Sequence, residues 1–368
     1  MKYLDEFRDP SLAKKLIATI TAEASDKRSY RLMEFCGGHT HAIFRYGLHQ
    51  VLPKNIELIH GPGCPVCVLP IARLDQAISY ARQDDILFCS FGDMLRVPGS
   101  QQQSLLRAKS EGANIHIIAS ATDTLTIAEQ HPEKKVLFFA IGFETTTPPT
   151  AHIIQQAAER NLNNLLVYNN HVLTPPAIRA ILDTQETINV DALIGPAHVS
   201  TIIGTEPYNQ LCKDFNRPIV ITGFEPLDIL QGILMLVRQL NDQRANVENQ
   251  YSRAVYTEGN KKALTFMEEV FELRETFEWR GLGQIPHSAL KIKPRYKKHD
   301  AEKQLKPTTT RAKENKACAC GDVLRGIIKP NECKIYATVC TPDNPLGACM
   351  VSSEGACAAH YQYDQPNV

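Results

Sequence analysis

The chain has 368 residues, enough for two or three domains with cores of their own. Lys plus Arg and Asp plus Glu number 40 each, so no net charge draws it to nucleic acid or to an anionic membrane. The opening Met1-Lys-Tyr-Leu-Asp-Glu-Phe-Arg-Asp9 is too charged for a signal peptide core, and no later run of about 18 apolar residues spans a bilayer. The expectation is a cytoplasmic protein that meets small molecules or other proteins, with no nucleic-acid and no membrane partner.

Residues 1–26 read as an N-terminal helical segment. From about residue 27 to 241, short apolar runs alternate with longer amphipathic ones. The strand candidates are Ile56–Ile59, Ile86–Ser90, Ile115–Ala119, Val136–Ile141, Leu165–Asn169, Ala192–Ile194 and Pro218–Thr222, rich in β-branched or aromatic residues and apolar on both faces. Such strands belong in a parallel sheet covered by helices. Helices are expected over Ala72–Arg82, Gln101–Glu111, Asp123–Glu129, Thr150–Asn161, Pro175–Asp183 and Pro226–Gln239, with Ser100 and Thr174 as caps. The fold class is therefore α/β: two Rossmann-like parallel-sheet domains, 27–125 and 126–241, split near Ser120–Thr122 and His131–Lys135. Residues 242–368 follow as linker helices and a cysteine-rich domain. Within them Lys262–Phe277 reads as an amphipathic helix. The basic run from Lys291 to Lys316, including Arg311 and Lys313, reads as a solvated linker, with a docking strip for an acidic partner as the sharper alternative.

The strand ends carry the polar groups. Ile59 runs into His60, Phe88 into Asp93, Ile141 into Gly142-Phe-Glu144, Val167 into His171 and Ile194 into His198. Ligands of open α/β sheets bind outside the carboxyl ends of strands, so His60, Asp93, Glu144, His171 and His198 are expected on the rim of a shared cleft.

Eleven cysteines are grouped rather than scattered. In a reducing compartment such groups bind metal or do redox work more often than they form structural disulfides. Cys89 and Cys212 stand alone and read as packing residues. Cys36-Gly-Gly-His39-Thr-His41 sets one thiol and two imidazoles on a glycine turn, fit for a transition metal or a Cys/His nucleophile pair. Cys64-Pro-Val-Cys67 opens a helical stretch, where a thiol's pKa falls, and fits a dithiol switch or a metal half-site. Cys318, Cys320, Cys333, Cys340, Cys349 and Cys357 lack the paired C-x2-4-C spacing of structural zinc and the ferredoxin spacings. Six soft donors in one small segment still suit an iron-sulfur cluster, four as ligands and two as spare thiols. Two other readings stay open: an iron-sulfur-dependent thiol/disulfide oxidoreductase acting on a client protein, and a zinc-stabilised interaction module.

The strings Phe35-Cys-Gly-Gly-His-Thr-His41, Gly61-Pro-Gly-Cys-Pro-Val-Cys67, Phe91-Gly-Asp-Met-Leu-Arg-Val-Pro-Gly-Ser100, Gly142-Phe-Glu-Thr-Thr146 and Cys340-Thr-Pro through Cys349-Met-Val-Ser-Ser-Glu-Gly-Ala-Cys357 resemble the nickel-iron hydrogenase maturation factor HypD family over nearly the whole chain. The resemblance implies a scaffold that, with a HypC-type chaperone, a HypE-type thiocyanate donor and, indirectly, a HypF-type carbamoyltransferase, assembles the Fe(CN)2CO moiety. It implies Cys36 as a ligand of that iron, with His39 or His41 assisting, and Cys64 with Cys67 as a redox dithiol. By analogy with ferredoxin:thioredoxin reductase it implies a 4Fe-4S cluster on Cys318, Cys333, Cys340 and Cys357 beside a redox pair, Cys320 and Cys349. Asp93, Glu144 and His198 would then supply hydrogen bonds or proton transfer around the diatomic ligands.

Overall fold

The computed structural model describes residues 5–183, 189–307, 312 and 314–364. Nine strands build its two main sheets: β1 (Tyr30–Glu34), β2 (Ile56–His60), β3 (Ile86–Ser90), β4 (Ile115–Ile117), β5 (Lys135–Gly142), β6 (Leu165–His171), β7 (Ala192–Pro196), β8 (Ile219–Thr222) and β9 (Val247–Asn249). One sheet has the order β2-β1-β7-β8-β9 and the other β4-β3-β5-β6, parallel throughout. The α/β expectation holds, and the continuous apolar strands are buried on both faces, as helix-covered parallel strands must be. Among the described residues no helix is long and apolar enough to cross a membrane.

The division into consecutive units near residue 125 does not match the sheets. β3 to β6 are inserted between β2 and β7, and β1 pairs with both β2 and β7, with Leu32 opposite Ala192. β1 is a central strand with a neighbour on each edge, and the local sequence supplies only β2. Strand periodicity marks where strands lie but not which distant strand completes a sheet.

Helices Pro10–Glu23, Gly37–Arg45 and Pro226–Asn241 cover one face of the first sheet, and Thr174–Leu182 with Glu206–Phe215 cover the other. On the second sheet, Phe88, Leu137, Phe139, Leu166 and Tyr168 share one apolar core with helix Ile71–Ala81, the Cys64–Cys67 turn and the C-terminal cysteine segment. That shared core seats the cysteine segment against the rest of the molecule.

Four local expectations change. The amphipathic pattern of Lys262–Phe277 holds only to Val270; Phe271–Leu273 and Thr276–Trp279 are strands, and Trp279 is buried with its Nε1 donating to Ser288 Oγ. The basic run is not a linker over its described part: Tyr296, His299 and Asp300 are buried, and His299 Nδ1 donates to Leu165 O at 2.8 Å. Its lysines point outward from a segment whose alternate residues are core; Arg311 and Lys313 lie outside the described residues. Ser100 does not cap a helix over the glutamines, because Gln101 and Gln102 both take positive φ (56°); Ser104 caps Leu105–Ser110 instead, accepting from Arg107 N. Thr174 begins its helix rather than capping it.

Phe139 is fully buried, 5.7 Å from the Tyr168 ring and 5.9 Å from Phe88. Phe139→Ala should cost about 3–5 kcal/mol in urea unfolding; a loss below about 1 kcal/mol would contradict a packed second sheet.

Candidate functional site

Cys36 follows β1 and is the cap residue of helix Gly37–Arg45. Its Sγ receives the N–H groups of Gly38 and His39, the helix start. Its own N–H donates at 2.8 Å to Glu34, a fully buried carboxylate that also accepts from Thr40 Oγ1 and pairs with His60 Nδ1 at 2.9 Å. Burial raises the Cys36 thiol well above its ordinary pKa, helped by the charges of Glu354 and Glu34 and opposed by those two N–H groups. An approaching cation would displace the proton and leave a thiolate.

Cys36 opens into a cavity of about 340 Å³ between the two sheets. The loops after β1, β2 and β7 contribute Cys36, Gly63 and His198; those after β3 and β5 contribute Asp93 and Thr145–Thr146. The carboxyl ends of both parallel sheets thus face one space. The C-terminal segment closes it with Glu354. Burial, together with the charges of Asp93 and Glu34, raises the Glu354 carboxyl. His198 lies against Phe224 with ring centroids 3.9 Å apart, and burial keeps its imidazole less basic than usual.

The expected rim divides. Asp93 and His198 line the cavity; His60, Glu144 and His171 do not. His60 is paired with Glu34 and lines a separate groove with Lys329 and Pro330. Glu144 is buried and accepts from Thr174 N and Oγ1 at 2.8 and 2.9 Å, and His171 bonds Thr150 Oγ1 at 2.8 Å. In Gly142-Phe-Glu-Thr-Thr146 it is the residues around Glu144 that reach the space. His39 is also off the cavity: buried, with Nε2 within 3.1 Å of Thr222 O and Gly223 O and its ring 4.7 Å from Phe224. His41 Nδ1 meets Ser353 O at 3.3 Å and ties this helix to the C-terminal segment. Sequence reasoning missed Glu34 and Glu354; the signal for the second was its place inside Ser352-Ser-Glu-Gly-Ala-Cys357.

Cys64 and Cys67 are joined as a disulfide at the start of a helical turn, Pro65–Val68. Gly63 brings this turn to the site, since a Cβ there would overlap the backbone of Cys36. On the other side, Cys67 Sγ lies 4.0 Å from Ala348 O, next to Cys349.

The six C-terminal cysteines line one small closed cavity with Val323, Tyr336 and Met350, and all but Cys318 are buried. The thiols of Cys318 and Cys320 touch, as do those of Cys320 and Cys349. Among the described residues, no three Cys, His, Asp or Glu side chains converge on a point that would hold a single ion. Four sulfurs around a tetrahedral zinc at about 2.3 Å would crowd one point. The donor set is dry, all sulfur and spread around a space, which fits a multi-iron cluster better than one ion.

This is an α/β protein that gathers its grouped cysteines: one in an inter-sheet cavity, a disulfide on the turn that follows Gly63 and a sulfur-lined cavity beyond it. A family model described as "HypD: Hydrogenase formation hypA family" matches residues 11–364. The hydrogenase maturation factor HypD of Rhizobium leguminosarum bv. viciae is 57% identical over 368 residues, covering 99% of this chain and 96% of the relative. HypD of Cupriavidus necator is 55% identical, covering 99% and 97%, and HypD of Escherichia coli K12 is 46% identical, covering 99% of each. The chain belongs to the HypD family of hydrogenase maturation factors.

Burial holds the Glu144 carboxyl up to about 7, against 4.5 ordinarily, despite the Thr174 hydrogen bonds. The folded chain therefore binds this proton more tightly than the unfolded one. The stability it gives is full below pH 4.5 and is lost as pH rises through about 7. Glu144→Gln should flatten the urea midpoint between pH 5 and 8; an unaltered slope would contradict the assignment.

Proposed function

We propose that the chain is the scaffold on which the Fe(CN)2CO moiety is assembled, and that Cys36 holds the iron together with a cysteine of a HypC-type chaperone. The observation that carries this is Cys36 at a helix N-terminus in the inter-sheet cavity, with Gly63, the residue that leads into the Cys64–Cys67 disulfide turn, packed against its backbone. The iron is cargo. Its arrival converts the protonated Cys36 to thiolate, and the N–H groups of Gly38 and His39 already point at that sulfur. Asp93, Glu354 and His198 face the same space and can take part in hydrogen bonds at its ligands; burial raises the Glu354 carboxyl. His39, His41 and Glu144 act by positioning. His39 seats Phe224 under His198, His41 holds the C-terminal segment and Glu144 anchors the loop after β5.

Cyanide would arrive as a thiocyanate on a HypE-type partner, itself supplied through a HypF-type carbamoyltransferase. In the dithiol state, Cys64 or Cys67 attacks the thiocyanate sulfur, breaking the S–C bond and releasing cyanide. The second thiol then attacks the mixed disulfide. Two thiols are oxidised to the Cys64–Cys67 disulfide, the partner's sulfur leaves as a thiol, and cyanide departs with the remaining proton.

Cys318, Cys333, Cys340 and Cys357 would hold a 4Fe-4S cluster, which when bound supplies low-potential electrons. Cys320 and Cys349 form the adjoining pair, supported by the contact of their thiols and by Ala348 lying against Cys67. The pair returns the disulfide to dithiol by exchange across that contact. A reducing compartment, the cytoplasm, suits these free thiols.

Protein purified anaerobically with its chaperone should display infrared stretching bands of cyanide and carbon monoxide, and Cys36→Ala should abolish them. Bands that persist in the variant would remove Cys36 from the iron. The purified chain should be brown, with iron and acid-labile sulfide that fall at least severalfold in Cys333→Ala; a colourless, zinc-containing protein would rule out the cluster.

A further inference from the structure

A second cavity, of about 330 Å³, borders Cys318 and Cys320 and shares Ala348 with the contact to Cys67. It is distinct from the inter-sheet cavity, and the function above leaves it unused. Cys318 borders it and is the one free cysteine that is not buried. Its wall also holds Arg280, a cation only 7% exposed. Burying a guanidinium is costly without an anion to meet it. The partner it has is Glu314, whose carboxylate approaches Nε at 3.4 Å and whose side chain is 58% exposed. A loosely held surface carboxylate thus stands where a ligand's carboxylate would bind.

Arg280 is held rigidly. Its N–H donates to Val68 O at 2.8 Å, next to the Cys64–Cys67 turn, and Gly281 packs so closely on Gly321 that a Cβ would overlap it. The guanidinium is therefore fixed relative to Cys320, and its charge reaches the sulfurs of Cys318, Cys320 and Cys349. At the rim, Gln101 and Gln102 both hold the left-handed conformation. Such strain in non-glycine residues gathers at binding sites.

We propose that this cavity is the docking site of a small carboxylate-bearing thiol that reduces the Cys320–Cys349 pair, an inference that rests on reading those two residues as a redox pair. The ligand's carboxylate replaces Glu314 on Arg280, a bidentate partner for a planar anion. Its thiolate attacks Cys320 Sγ of the oxidised pair, forming a mixed disulfide and expelling Cys349 as thiolate. A second thiolate attacks the ligand sulfur of that mixed disulfide and releases Cys320. Two small thiols become one small disulfide, and the protein disulfide becomes two thiols. Electrons thus enter at Cys320 and leave through the pair toward Cys67.

The test oxidises the full chain, maps the Cys320–Cys349 disulfide by peptide mass spectrometry, and times its reduction by mercaptosuccinate and by uncharged 2-mercaptoethanol. The ratio of the two rates is read, so that each thiol's intrinsic reactivity cancels between variants. Arg280→Met should lower the ratio about tenfold, and Arg280→Lys should restore part of it. Glu314→Gln, an exposed change that leaves folding intact, should raise it about threefold by removing the competing carboxylate. An unchanged ratio in both the Met and Gln variants overturns the site, as does a pair that neither thiol reduces, which would assign the task to a protein donor. Failure of the oxidised chain to form the Cys320–Cys349 disulfide would instead strike the redox-pair reading beneath it.

Discussion

The site depends on one buried carboxylate. Glu34 ends β1 with no exposed surface, and a charge so placed survives only if hydrogen bonds surround it. It obtains them from Cys36 N–H, Thr40 Oγ1 and His60 Nδ1, and each of these is a structural commitment. The first fixes the turn that puts Cys36 at a helix start. The second fixes the first turn of that helix, and the third joins the ends of the neighbouring strands β1 and β2. The thiol's direction is thus set by a group that never touches the cavity.

The second constraint is close backbone approach. Gly63 sets the Cys64–Cys67 turn on Cys36, and Gly281 and Gly321 set the Arg280 hairpin on the Cys320 helix. In both places a side chain would hold apart two segments that pack in contact. Three thiol groups far apart in sequence become neighbours through positions that carry no functional atom. The shared apolar core of the second sheet then holds the cysteine segment in register with both.

Much of this was legible in the sequence because chemistry and local structure share a short range. The doubly buried strands announced a parallel sheet, and the post-strand loops announced a cleft; Cys36, Asp93 and His198 do line one cavity. What was not legible is long-range. Glu144, His39 and His171 look like site residues by type, yet each is consumed by a buried hydrogen bond to a residue distant in the chain, which sequence does not reveal. Glu354 looked like one carboxylate in a cysteine motif, and only the fold carries it more than 300 residues back to Cys36. The sheet insertion was invisible for the same reason, since nothing local distinguishes β7 from any other candidate partner of β1.

That insertion has a consequence for the order in which the molecule comes into being. β1 and β2 leave the ribosome early, but the sheet they belong to waits for β7 to β9, and the cavity wall waits for Glu354 near the end of the chain. Until then Cys36 has its helix but no enclosure. A truncated or unfinished chain therefore carries the thiol without the cavity, and enclosure of Cys36 is tied to completion of synthesis by topology alone.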